Sequence, residues 1–174
     1  FYIRPTQAKT GGFAFKKFIP IRWPNSTGYV RYPTDIVNNA LDTATLVTAT
    51  KMQADGDDLR VYVNGAEADR WLQDMNNATT QVWVNLNWQA KQEVNLLTAI
   101  AGSGAITTID AVEDITDFPN SSTLIIGSEA FIYTSKNNAT RQFEGVTRAA
   151  KGTSAAAHNV LDDVWWNQND VWIM

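Results

Sequence analysis

The chain contains no cysteine. That excludes a disulfide framework, thiolate metal sites and cysteine catalysis, and it leaves the redox compartment open. Histidine occurs once, at position 158, so a serine–histidine triad or a multi-histidine zinc site within this chain would have to be built on His158. The longest apolar runs are a few residues, far short of the roughly 20 needed to cross a bilayer as a helix, so no membrane insertion is expected. Charge is sparse, 18% of 174 residues, and its balance is acidic at −4. Binding phosphates needs a basic face, so nucleic acid is not expected as a partner. What is abundant is apolar: 44% of the chain, with seven tryptophans, enough to bury a core and unlike a disordered tail. The length suits one medium domain or two small ones.

The charge is unevenly spread. Residues 1–34 carry Arg4, Lys9, Lys16, Lys17, Arg22 and Arg31 and no acid, giving +6; the remainder holds 8 basic and 18 acidic residues, giving −10. A basic arm on an acidic body points to contact between the two, within a subunit or between subunits. The alternative is a solvated, mobile terminus. Phe1, Tyr2, Phe13, Phe15, Phe18 and Trp23 favour contact, because a free tail rarely carries so many aromatics. The chain opens on Phe1 with no basic, apolar leader, which points to processing or to a piece of a longer polypeptide.

The periodicity is that of strands. Phe18 to Trp23 is a bulky run closed by the turn cluster Pro24-Asn25-Ser26-Thr27-Gly28. Leu59 to Val63 alternates and ends in Asn64-Gly65, a pair suited to a tight hairpin. Gln81 to Trp88 puts Val82, Val84, Leu86 and Trp88 on one face. Glu93 to Leu97 reads as another strand. After the small, flexible run Ala101-Gly102-Ser103-Gly104-Ala105, further strands are expected at Ile106–Ile109, Thr123–Ile126, Ala130–Thr134 and Gln142–Val146. Helix is expected only at Pro33 to Asn39, and as a single turn at Ser154 to His158. The fold expected is all-β: an N-terminal arm (1–16), a β-sandwich-like module (17–100) and a smaller β module (105–174) with a Trp-rich C-terminal strand.

Two stretches carry a family resemblance. Ala54-Asp55-Gly56-Asp57-Asp58-Leu59-Arg60-Val61, then a hairpin and Gln81-Val82-Trp83-Val84-Asn85-Leu86, make residues from about Lys17 to Ile100 resemble β-sandwich modules of phage structural proteins and large surface proteins. Where those modules carry a tyrosine-rich run, this chain has Glu93-Val94-Asn95-Leu96-Leu97. The second stretch runs from Asp117-Phe118-Pro119 through Ser122–Glu129 and Ile132-Tyr133-Thr134. It continues with Phe143-Glu144-Gly145-Val146-Thr147-Arg148 and Gly152 to His158. This ordered set is similar to a small module recurrent in phage tail and other virion proteins. The resemblance implies a structural subunit of a bacteriophage particle, in tail, fibre or capsid surface. Its partners would be copies of itself and other virion proteins, with host glycans as a further class, and its place the extracellular particle. It supplies no catalytic residues and no cofactor.

The residues themselves offer few chemical sites. As a base or a metal ligand His158 would need partners; the competing reading is a ring whose nitrogens bond backbone carbonyls and pin a loop. Asp55, Asp57 and Asp58 suit calcium by charge, or an Asp-Gly turn whose carboxylates bond the turn backbone. Among Glu67, Asp69, Glu113, Asp114, Glu129 and Glu144 no spacing singles out the facing pair that glycoside hydrolysis needs, so an enzyme is not expected. Sequons at Asn25, Asn77, Asn120 and Asn138 fall in expected turns.

Trp71, Trp83, Trp88, Trp165, Trp166 and Trp172 suit core, interface or sugar stacking. Trp165 and Trp166, being adjacent, face opposite sides of a strand, so one must meet a second layer, solvent or a partner. The residues expected at an interface are Phe1, Tyr2, Arg4, Phe13, Phe15, Lys16 and Lys17 from the arm, and Trp165, Trp166 and Trp172 from the C-terminus. A sugar-binding module and a subunit of a non-viral extracellular filament are the competing functions.

Overall fold

A computed structural model describes residues 17–22, 27–38, 40–89 and 92–174. The period-two pattern of the sequence becomes short antiparallel strands. In chain order these are β1 (Lys17–Ile19), β2 (Tyr29–Asp35), β3 (Val61–Val63), β4 (Ala66–Glu67), β5 (Arg70–Gln73), β6 (Gln81–Trp88) and β7 (Glu93–Asn95). They continue as β8 (Thr108–Asp110), β9 (Ser122–Ile126), β10 (Glu129–Tyr133), β11 (Ser135–Asn137), β12 (Gln142–Glu144), β13 (Asp163–Trp166) and β14 (Val171–Ile173). A helix α1 (Thr43–Thr48) interrupts them. The protein is all-β and sandwich-like, with sheets in the orders β1-β14-β3-β4, β10-β9-β13-β7, β11-β12-β8 and β2-β6-β5.

Alternation explains the longest strand. Val82, Val84, Leu86 and Trp88 of β6 are buried while Asn85 and Asn87 are exposed, and burying each of the aliphatic side chains is worth roughly 1.5–3 kcal/mol. Between β3 and β4, Asn64 (φ 51°) and Gly65 (φ 83°) form the whole of a two-residue loop that pairs Val63 with Ala66. Positive φ at both positions is what the primed hairpin turn requires.

Among the described residues the core gathers in three clusters. One gathers Val94, Leu96, Ile109, Leu124, Phe131, Tyr133, Phe143 and Val164, among others. A second gathers Leu59, Val61, Val82, Leu86 and Trp88 with Val171 and Ile173 from the C-terminus. The third is a seam: buried Phe18, Ile125, Ala130 and Ala150, with Ile132, Trp165 and Trp172 packed against them. The loop 101–105 is exposed, as a linker would be, yet strand pairing crosses it in both directions. β7 pairs with β13, and β14 lies between β1 and β3.

Two helical expectations are corrected. Pro33 to Asn38 is not helical, and Asn39 lies outside the described residues: Tyr29–Asp35 is strand β2, with Pro33 opposite Asn85. Proline cannot donate to a ladder, but β2 is an edge strand, where that loss is tolerated. Ser154 to His158 is not a helical turn; a 3-10 turn lies earlier, at Ala150–Gly152, and His158 forms a bridge with Ile100.

Candidate functional site

β9 and β10 are joined through Gly127 and Ser128, with Glu129 opposite Ile126. Along β10, Glu129, Phe131 and Tyr133 share one face by alternation. All three are fully buried, so a carboxylate occupies a core position. Such a group is costly unless every lone pair is met, and here each is. Oε1 accepts from Arg148 Nε (3.0 Å) and from the backbone N–H of Ala149 (2.9 Å). Oε2 accepts from Arg148 Nη2 (3.0 Å), the backbone N–H of Ala156 (2.9 Å) and His158 Nε2 (2.9 Å). Burial alone would raise the Glu129 pKa; the bonds from Arg148, Ala156, His158 and Ala149 outweigh it and hold the group at about 2. Glu129 is therefore ionised, and His158 Nε2–H is the donor.

Arg148 is the second centre. Its guanidinium also donates from Nη1 to the carbonyl of Ala101 (2.7 Å) and from Nη2 to that of Ala156 (2.8 Å). Its bond to Glu129 raises its pKa further, so it stays a cation. The Phe131 ring lies edge-on to His158 with centroids 5.6 Å apart, and the Arg148 guanidinium sits 6.0 Å from the Phe131 centroid. The backbone of His158 exchanges both bonds with Ile100, each 2.9 Å. The expectation for His158 is corrected in one respect: it pins a loop through the Glu129 carboxylate, not through ring bonds to carbonyls.

A carboxylate with five donors has no lone pair left for a substrate proton or a metal. The cluster's work is mechanical: it ties strand β10, the loop at 101–104, the segment after β12 and the 156–158 run into one unit. Glu129 and Arg148 do not stand out by spacing. The readable signal was parity, since an acid shares the phase of Phe131 and Tyr133.

The remaining candidates resolve individually. Asp55 Oδ1 accepts from Asp57 N–H (3.1 Å), and both oxygens of Asp58 accept from Gln53 N–H (3.0 and 3.2 Å), as a turn requires. Among the described residues no cluster of three or more His, Asp or Glu is placed to hold a metal ion. Among the described residues, open depressions of about 380 and 330 Å³ lie at residues 121–123 with Lys151 and at residues 98–110. Their titratable side chains are engaged: Lys151 with Asp170 (2.5 Å) and Tyr133 with the Pro119 carbonyl (2.7 Å) in the first, and Asp110 with Gln142 (2.8 Å) in the second.

Of the residues expected at an interface, Phe1, Tyr2, Arg4, Phe13, Phe15 and Lys16 lie outside the described residues, as do Lys9, Trp23 and Asn25. Lys17 is exposed at the start of β1, opposite Ile173. Trp165, Trp166 and Trp172 are half-buried. Trp165 and Trp172 pack on the seam, Trp172 with its ring 5.3 Å from that of Phe18, and Trp166 packs on the opposite cluster and donates to Ser122 Oγ (2.9 Å). The two-sided strand is thus faced by layers of this chain. From the basic leader, Arg22 bridges Glu93 (2.5 Å) and Asp163 (3.3 Å), joining β7 to β13 across their shared edge. No family model, curated protein or solved structure matches the chain.

Proposed function

We propose that the chain is a structural subunit of a bacteriophage particle, acting by self-assembly and by contacts with other virion proteins. The resemblance supplies the particle. The pieces that carry it, Ser122–Glu129, Phe143–Arg148 and Gly152–His158, are far apart in sequence and meet at Glu129. That supports reading them as one module built for rigidity.

The observation that carries the assembly mechanism is the anchoring of β1. Three residues at a sheet edge hold Phe18 5% exposed in the seam, immediately after the basic, aromatic-rich residues 1–16. Arg22, from the same leader, already rests on acids of the body. On this reading residues 1–16 dock on the acidic surface of a neighbouring subunit, with charge setting partner and register. A truncation lacking residues 1–16 tests it by sedimentation velocity. The expected result is a folded monomer where the full chain forms oligomers; undiminished oligomers of the truncation would refute the arm's role.

A further inference from the structure

We propose that the outer face of the β2-β6-β5 sheet binds a neutral oligosaccharide, whose pyranose rings stack on Trp71 and Trp83. The inner face of β6 is the buried set Val82, Val84, Leu86 and Trp88, so Trp83 points the other way. Trp71 is its direct cross-strand partner. The two indoles lie 6.3 Å apart at 34° to one another, and Trp71 is 60% exposed. Most of a large aromatic side chain is thus left facing water, held there on a strand.

The surroundings select the ligand. Next to the tryptophan pair in the ladder is an amide pair, Gln73 opposite Gln81. On the other side Asn85 faces Pro33. Amides both donate and accept, which suits sugar hydroxyls, while aromatic faces suit the C–H side of a pyranose. Of the paired positions on this face only Asp35 is charged, and its Oδ1 accepts from the backbone N–H of Val37 and of Val82, each at 3.2 Å. With that carboxylate turned to the backbone, the paired positions around the two tryptophans complement an uncharged ligand rather than a basic or acidic protein surface.

The platform is also preorganised. Trp83 Nε1 donates to Gln81 Oε1 (3.2 Å), fixing the indole's orientation, and both rings stand on paired strands rather than loops. This inference stands apart from the virion reading, since it concerns a different surface and a different readout.

The test titrates the full chain with a panel of neutral hexaoses (gluco-, galacto-, manno- and N-acetylglucosamine series) and with alginate as the charged control. Calorimetry and tryptophan emission report binding. The expected result is saturable binding of at least one neutral hexaose, weakened about tenfold or more by Trp71→Ala and largely kept by Trp71→Phe. Because Trp71 is exposed, its variants should unfold at the wild-type temperature. Absence of saturable binding across the panel, preference for alginate, or unchanged binding by Trp71→Ala would overturn the proposal. So would a loss of oligomers in Trp71→Ala without any sugar binding, which would give the face to a protein partner.

Discussion

Arg148 and Glu129 form a two-pronged ion pair with both contacts at 3.0 Å and side chains only 8% and 0% exposed. The geometry is the parallel fork in which guanidinium and carboxylate match best. In a core this small it replaces apolar packing with a network that fixes four chain segments at once.

Removing either partner leaves the other as an uncompensated buried charge. Arg148→Ala and Glu129→Gln are each expected to destabilise by about 3–5 kcal/mol. The double variant Glu129→Gln/Arg148→Met should cost less than the two single changes added together. Urea unfolding monitored by tryptophan emission gives all three values. Near-additive losses would mean that the two groups act separately.

The same pair sets the response to acid. Glu129 titrates at about 2 in the folded chain against an ordinary 4.5, so in the interval between these values the unfolded state binds the extra proton. Its contribution, about 3 kcal/mol, is fully present above pH 4.5 and is lost as the pH falls towards 2. Unfolding free energy measured against pH should fall through this window, and the fall should be shallower in Glu129→Gln.

Gly145 follows β12 with φ +62°, and a Cβ added there would lie 2.0 Å from Thr134 Oγ1. Gly145→Ala is expected to cost about 1–3 kcal/mol, part left-handed backbone and part overlap. Adding Thr134→Ala should recover only the overlap part. Thermal unfolding of the single and double variants separates the two.

Phe18 joins β1 to the seam through Ile125, Ala130, Ala150 and Trp172. Its truncation to alanine removes a contact worth about 3–5 kcal/mol, more than a three-residue edge strand can lose and stay docked. Hydrogen exchange in Phe18→Ala should rise at Lys17–Ile19 and at their partners Val171–Ile173, while β9 and β10 keep their protection.

Strands were legible where one face is buried and the other wet, as in Gln81–Trp88, or where a turn type is dictated, as at Asn64-Gly65. The helix expected from Pro33 failed because the same residue that opens a helix is also accepted at a sheet edge, and edges are set by pairing partners far away in sequence. The real helix, Thr43–Thr48, hides in β-branched residues of low helix propensity. It is held by Asp42, which accepts from both the backbone and the hydroxyl of Thr45 (2.9 and 2.7 Å). The Glu129 cluster escaped because its members are separated by 19 and 29 residues, and nothing local marks their convergence. The two-sided placement of Trp165 and Trp166 followed from strand geometry; which layer covers each did not, because it depends on where β1 and β14 return.

The most direct measurement is an image of the assembled particle or oligomer at subunit resolution, with residues 1–16 traced. The expected result is a path leaving β1 of one subunit and lying on the acidic surface of the next. A chain that forms no oligomer, or residues 1–16 packed wholly on their own subunit, would contradict the account.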